Sequence, residues 1–480
     1  MSQQLSLLSQ QGRELLEILA GQNVDPGRAL RLAESLRGRY PPDLVAAALT
    51  QQALRIAARS KFSNAEAMLF TRPGLEQASS ELAAPHSAAR YGDARTVADL
   101  CCGIGGNLAA LAAGRRVIAV DRDLVSLEFA RHNAAVCRAA DSRTTDRDTC
   151  SSSTTTTTTG GGGRGGATSS DAAGGGATSG DGGGGAISGD GSGRDEAEGL
   201  AAVCADVRDL RLGCASRGLG LAGAAGGAAT ADVDAVFIDP ARRAGGRRLP
   251  AGHSEPSLQW CLDLASRIPA VGIKAAPGLP HRLVPADWEI EFLAIGRSLK
   301  EALIWSPALA TARRRATVLP SAVPAGSPAA LSAGLPACHT LISAPGPEVP
   351  VARPGGFLLD PSPAVTRAGL VEDLARELGA WKIDPMIAFL AADAPLRTPF
   401  ARTLRVLESA PWNEKAFARR LRALGVGAAD IRRRGLAGDV QQIHRRLGLQ
   451  GEGSATIVIT RMNGKPWGLI CTAVLDHEHG

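Results

Sequence analysis

Apolar positions recur at helical spacing through the first sixty residues. Leu15, Leu16, Ile18 and Leu19 mark one helical segment within 5–20, and Leu44, Val45, Ala48, Leu49 and Leu54 mark another within 28–59. Asp25-Pro26 and Pro41-Pro42 serve there as helix starts or breaks, since proline suits a first turn and lacks the amide an interior position needs. From about residue 96 the texture changes to short apolar runs: TVADL (96–100), RVIAV (116–120), AAVCA (201–205), AVFI (235–238), VGIK (271–274) and EIEFLAI (289–295). Helical stretches at 124–137 and 256–266 lie between some of them. Strand alternating with helix predicts an α/β fold built on a doubly wound parallel sheet. Past residue 351 helices are expected near 364–378 and 413–424, with strands at 455–462 and 466–474. Asn463-Gly464 between those strands is a hairpin signal, so this last region reads as α+β.

One interval breaks the rhythm. Residues 139–199 hold a run of six threonines, many Gly, Ser and Asp, and Ile187 as their single large aliphatic side chain. Such a segment buries too little apolar surface to offset its ordering entropy, and it reads as a disordered insertion in a surface loop. Gly/Ala-rich residues 213–231 and Pro/Ala-rich residues 320–350 read as loop and linker.

The 480 residues are 44% hydrophobic with a formal net charge of +6, enough for two or three domains with real cores. No run approaches the roughly 18 apolar residues of a membrane span. The amino terminus lacks the basic region, apolar stretch and cleavage site of an export signal, so a cytoplasmic protein is expected. The nine cysteines include no C-x-x-C pair, which points to reduced, mostly buried thiols and no metal site. Within 396–465, fourteen Arg or Lys face five Asp or Glu, a local excess of nine positive charges. Arg419, Arg420, Arg432, Arg433 and Arg434 fall in that stretch, and clustered arginines can grip phosphates, although a solvated helix face has the same composition.

The chemistry begins at ADLCCGIGGNLAALA, which follows one predicted strand and opens a helix. Gly103 and Gly105 permit a tight turn and close approach of a ligand to the backbone. Asp99 closes the strand ahead of them, Asp121 ends the next strand where a carboxylate can accept both ribose hydroxyls, and Asp206 ends the third. A dinucleotide site would carry a third glycine where this chain has Leu108. AVFIDPARRAGGRR then places Asp239-Pro240-Ala241-Arg242 at the carboxyl end of the fourth strand, where doubly wound sheets bind ligands. The D-P-A-R string resembles that of the uracil-5-methyltransferases, and that resemblance implies a nucleophilic cysteine after the following strand, where VGIKAAPGLP offers Lys274 and no cysteine. Lys274 could orient an acceptor or pair with Asp239.

D-L-C-C-G-x-G-G-N resembles motif I of class I S-adenosylmethionine (AdoMet)-dependent methyltransferases, and residues 99–137 resemble the trimethylguanosine synthase group. The ordered set of KFSNAEAMLFTRPGLEQASSELAAPHSAARY (61–91), IDPARRAGGRR, VGIKAAPGL, SLKEALIW (298–305), GGFLLDPSPAVTRAGL and ATIVITRMNGKPWGL is similar to a bacterial class I methyltransferase family with a carboxyl-terminal THUMP-like domain. The resemblance implies a Rossmann-like methyltransferase domain at 61–320, a helical domain at 1–60, a linker at 321–350 and a THUMP-like α+β domain at 351–475. It implies AdoMet as cofactor and RNA as partner. Asp99, Gly103 and Gly105 would hold its amino acid part, Asp121 the ribose and Asp206 the adenine, while Asp239, Pro240 and Arg242 would serve the acceptor. Asp239 and Pro240 fit the [D/N]-P-P-aromatic acceptor motif of amino methyltransferases, whereas Ala241 and Arg242 depart from it. A methyltransferase acting on protein or a small molecule, and a catalytically inactive RNA-binding protein, are the alternatives.

Overall fold

The computed structural model describes residues 3–151, 199–214, 230–244, 247–250, 252–321 and 338–474. Helices α1 (Gln10–Leu19), α2 (Pro26–Leu36) and α3 (Pro42–Ala58) form the amino-terminal bundle. Ser9 and Asp25 cap α1 and α2 by accepting from Gly12 N and Arg28 N, and proline occupies the first turns of α2 and α3. Their apolar stripes bury Leu15, Leu19, Leu44, Val45 and Ala48 against one another. This core runs on into Phe70, Ile104 and Phe129, which fastens the bundle to the sheet domain. Two short helices, α4 (Arg72–Gln77) and α5 (Ala84–Ala89), lead into the sheet.

Strands β1 (Thr96–Leu100), β2 (Arg116–Asp121), β3 (Leu200–Cys204), β4 (Ala235–Ile238) and β5 (Ala270–Ala275) are parallel. With β6 (Glu289–Ile295), β7 (Ser298–Trp305), β8 (Arg314–Leu319) and β9 (His339–Ile342) they build one nine-stranded sheet in the order β9-β8-β6-β7-β5-β4-β1-β2-β3. The strand order reverses at β1, so the crevice beside its carboxyl end is the topological switch point. Helix α6 (Leu108–Leu111) follows β1, α7 (Leu124–Ser151) follows β2, and α8 (Leu258–Asp263) precedes β5. Strands β1, β4 and β5 are covered on both faces, which is why they read as continuous apolar runs.

Two expectations change here. Helix α7 carries regular structure to Ser151, so residues 139–151 are helical rather than disordered; the insertion's 152–198 lie outside the described residues. The segment read as a linker supplies β9, an antiparallel edge strand on β8.

The carboxyl-terminal region contains β10 (Phe357–Pro361), α9 (Pro363–Ala368), α10 (Val371–Leu378), β11 (Trp381–Lys382), β12 (Leu390–Ala392), β13 (Ala401–Pro411), α11 (Glu414–Ala423), β14 (Val426–Arg433), α12 (Val440–Leu447), β15 (Gly453–Met462) and β16 (Lys465–Ala473). Its sheet runs β11-β12-β10-β13-β16-β15-β14. The expected single helix at 364–378 is two, because Gly369 takes a left-handed conformation (φ 69°) that ends α9. Asn463 and Gly464 both adopt positive φ (51° and 74°), as a type I′ hairpin turn requires. A single apolar core joins the two sheets, running from Val236 and Ile273 through Phe292 and Leu341 to Val365, Leu374 and Phe400.

Candidate active site

The carboxyl ends of β1, β2, β3 and β4 open into a cleft of about 490 Å³, within the size range of small-molecule and cofactor sites. Asp99, Gly103, Asp121, Asp206 and Asp239 all line it. The sheet thus brings together five residues that lie up to 140 positions apart in sequence. The amino-terminal helices and the segment around α4 close the opposite wall with Thr50, Leu54, Thr71, Gly74, Gln77 and Ser79. Gln77 belongs to the 61–91 stretch that carries part of the family resemblance.

The turn after β1 is wound left-handed, with φ of 56° at Cys101, 55° at Gly103 and 83° at Gly105. Gly103 N donates to Asp121 Oδ2 at 2.8 Å and Asp123 N donates to Oδ1 at 2.9 Å, so the loop and the end of β2 fix each other. Gly105 does not line the cleft. A Cβ there would stand 3.1 Å from the Ala130 Cα of α7, so this glycine serves close packing of loop on helix. Leu108, in the place of a third dinucleotide-motif glycine, is fully buried and anchors α6 to the sheet.

Asp99 is 2% exposed, and its Oδ2 finds no partner among the described residues. Burial, then the neighbouring carboxylates Asp239 and Asp121, push its pKa well above the usual carboxylate range. A buried carboxylate oxygen without a donor is met either by the carboxyl's own proton or by a cationic or N–H group that the described residues do not supply. Asp121 is also held up, by burial, against the two backbone amides that favour its charge. Asp206 differs: hydrogen bonds from the Arg208 side chain (Nε to Oδ1 2.9 Å, Nη2 to Oδ2 2.5 Å) lower its pKa to about 2.

Asp239 extends from the end of β4, and Lys274 Nζ from β5 meets its Oδ2 at 2.7 Å. Lys274 is almost fully buried; its ammonium also donates to Gln77 O at 3.0 Å and lies 3.7 Å from Glu301 Oε2 on β7. Burial opposes that charge, and Asp239 and Glu301 outweigh it, leaving the lysine above its ordinary pKa. Ser79 Oγ donates to Glu301 Oε2 at 3.1 Å and accepts from Asn107 Nδ2 at 3.3 Å, which extends the network to the start of α6. Sequence pattern did not single out Glu301 or Ser79. The available signal was a charged residue inside the apolar strand ALIW and its lead-in.

The other expected residues fall elsewhere. Pro240 is buried beneath the cleft, and half-buried Arg242 stands outside its lining. Cys101 lines the cleft, but burial raises its thiol, and it raises buried Cys261 to about 12; neither is a ready thiolate. Arg434 is used within the fold: Nη2 meets Asp360 Oδ1 at 2.7 Å, Nη1 donates to Ala388 O, and the guanidinium stacks 4.7 Å from the Phe389 ring. Arg420 pairs with Glu408 and Arg432 with Asp430, while Arg419 is exposed and Arg433 half-buried.

Over 277 residues the chain is 35% identical to an uncharacterized S-adenosylmethionine-dependent methyltransferase of Mycobacterium tuberculosis, in strains CDC 1551/Oshkosh and H37Rv, covering 55% of this chain and 72% of the relative. The chain belongs to this family of methyltransferases. Residues 94–157 match the RNA cap guanine-N2 methyltransferase family, 401–473 the THUMP domain-like family, and 3–58 a domain family of unknown function. The crystal structure of a candidate methyltransferase from Porphyromonas gingivalis W83 shares the fold, with a TM-score of 0.59 at 17% identity, over 94% of this chain and 99% of that one. The methyltransferase is a transferase whose cofactor is AdoMet, and the cleft suits it. The orphaned Asp99 oxygen can accept from an ammonium, the left-handed loop at Gly103 leaves backbone open to a ligand, and Asp121 lines the same cleft at the end of β2.

Proposed function

We propose that this methyltransferase modifies RNA, placing the methyl on a base nitrogen, with a guanine amino group as the leading acceptor. The observation that carries this reading is the Asp239 carboxylate, which faces the cofactor cleft with Oδ2 held by Lys274 and Oδ1 unbonded among the described residues. An N–H acceptor presents the donor that this oxygen lacks. The likeness of residues 94–157 to the cap guanine-N2 family, the THUMP domain-like match and the basic carboxyl-terminal stretch support RNA as the molecule bearing it.

Bound AdoMet supplies an electrophilic methyl group on a positively charged sulfur. Asp99 and the backbone at Gly103 would hold its amino acid part, Asp121 the ribose, and Asp206 the adenine edge. Asp239 Oδ1 would orient the acceptor N–H towards the methyl group. In-line transfer would form the nitrogen–carbon bond as the methyl leaves sulfur, with the displaced proton passing to solvent. Positioning supplies most of the acceleration. Lys274 holds the other oxygen of Asp239, and a hydrogen-bond acceptor suffices for this step. No step needs a cysteine.

The test incubates the purified protein with radiolabelled methyl-AdoMet and deproteinised cellular RNA, beside Asp239→Ala, and digests labelled RNA to nucleosides. One labelled nucleoside that disappears in the variant is the expected result. Unlabelled RNA, with label passing instead to protein or small molecules, would overturn the RNA reading. Cofactor binding without transfer to any acceptor would point to the inactive RNA-binding alternative.

A further inference from the structure

The carboxyl-terminal rim of the catalytic sheet extends past Asp239 in the direction of the second sheet. Moving outward from β4 the rim passes β5, then β7, then β6, three strand spacings or about 14 Å. β6 runs parallel to β5, so the tight turn from β6 into antiparallel β7 lies on this same rim. That turn carries Arg297. Three residues on, Lys300 is the extra residue of a β-bulge: Leu293 pairs with Glu301 and Ala294 with Leu299, so Lys300 has no opposite number. A bulge re-aims its side chain. Lys300 is exposed and makes no ion pair among the described residues, while its neighbour Glu301 points inward to Lys274.

Arg297 joins this rim to the second sheet. Its Nη2 lies 3.1 Å from Oδ2 of buried Asp360 on β10, whose other oxygen is taken by Arg434 at 2.7 Å. Arg402 stands opposite Asp360 in the β10–β13 register and shares Asp430 with Arg432, at 3.4 and 2.9 Å. Among the described residues four guanidiniums therefore share two carboxylates, which leaves an excess of two positive charges in this cluster. Burial and then the Arg432 and Arg402 charges hold the Arg297 pKa down against the pull of Asp360 and Asp430. Crowding of this sort weakens the fold unless an anion relieves it.

We infer that Arg297 and Lys300 form a phosphate-binding rail along the rim, continuous with Arg402 and Arg432, which leads a polyanionic strand from the carboxyl-terminal domain to Asp239. The ligand is RNA backbone, so the inference rests on the RNA reading above and deepens it. Contacts to phosphate would set the path of the strand and carry no sequence preference.

The full-length protein is titrated against a fluorescently labelled, deproteinised tRNA fraction, with anisotropy read from about 50 to about 200 mM salt. Lys300→Gln and the pair Arg297→Gln/Lys300→Gln are compared with the unaltered chain, and AdoMet affinity by calorimetry reports whether each is folded. The expected result is weaker RNA binding and a logarithmic salt slope shallower by about 0.7–0.9 per lost contact, with AdoMet affinity unchanged. Variants that bind RNA with the unaltered affinity and slope would overturn the rail and leave the RNA reading standing. If the unaltered chain does not bind RNA, both fail, and an acidic protein partner becomes the occupant to seek.

Discussion

Lys274 Nζ stands 2.7 Å from Asp239 Oδ2 and 3.7 Å from Glu301 Oε2, so one buried ammonium is shared by the carboxylate that lines the cleft and a second, buried one on β7. Removing the cation strands both. Lys274→Met is expected to cost about 3 kcal/mol of stability, to lower kcat roughly 100-fold as Asp239 loses its fixed rotamer, and to leave the AdoMet Kd within about twofold. Pairing it with Glu301→Gln should restore part of the stability and none of the turnover. Denaturant melts and single-turnover rates measure the two effects separately, and equal recovery of both would show that Lys274 acts only through folding.

Asp99 is the opposite case, a buried carboxylate that forms no ion pair among the described residues. Its folded pKa lies above the unfolded value, so the stability linked to its proton is present below the ordinary carboxylate range and is lost as pH rises through the folded pKa. Asp99→Asn should make the ligand-free protein more stable at pH 8, by about 1–3 kcal/mol, with the gain shrinking towards pH 4. The same change should weaken AdoMet binding by about 10- to 100-fold. Calorimetry of the unaltered protein in buffers of different ionisation enthalpy should detect proton release on binding.

Glu291 titrates in the reverse sense. Burial raises its pKa, but His86 (2.6 Å), Thr317 and Arg90 more than compensate and bring it to about 2. The stabilisation is complete above the ordinary value near 4.5 and is lost as pH falls towards 2. Glu291→Gln should destabilise by about 3 kcal/mol at neutral pH and flatten the acid limb of the stability curve, read from urea midpoints between pH 5 and 2.5.

Asn133, 1% exposed on α7, holds the segment before α4 to the glycine loop. Its Oδ1 accepts from Leu69 N at 2.8 Å, and its Nδ2 donates to Leu69 O at 2.9 Å and Ile104 O at 3.0 Å. Asn133→Leu should cost about 3 kcal/mol and raise the AdoMet Kd about tenfold, because one wall of the cleft loses its register with the other. An unchanged Kd in a folded variant would mean that the loop at Gly103 needs no support from α7.

Local pattern encodes some of these positions and not others. The parallel strands announced themselves because burial on both faces forces unbroken runs such as AVFI, and the strand-end aspartates came with the strand ends. Strand β7 was harder to see: SLKEALIW mixes Lys300 and Glu301 into an apolar run, since one serves the surface of the rim and the other the buried lysine. Gly105 has the spacing of a ligand loop, and it also answers a constraint that spacing does not show, the close approach of Ala130, 25 residues away. Arg434 looked like its two neighbours in the run of three, and only the approach of β10 and Phe389 separates it from them. Partners distant in sequence, rather than residue type, decided these positions.

The apolar core that runs without a break from Val236 to Phe400 has a consequence for how the molecule comes apart. His281 Nε2 lies 2.6 Å from Arg367 O, and Arg367 Nε in turn donates to Pro277 O at 3.0 Å, so the seam between the sheets is bonded as well as packed. Residues 357–400 cannot lose their structure without exposing the outer face of the catalytic sheet. Melting should therefore be cooperative across the seam, with α9 and α10 exchanging their amide hydrogens on the timescale of β5 and β6 and not on that of an independent appendage.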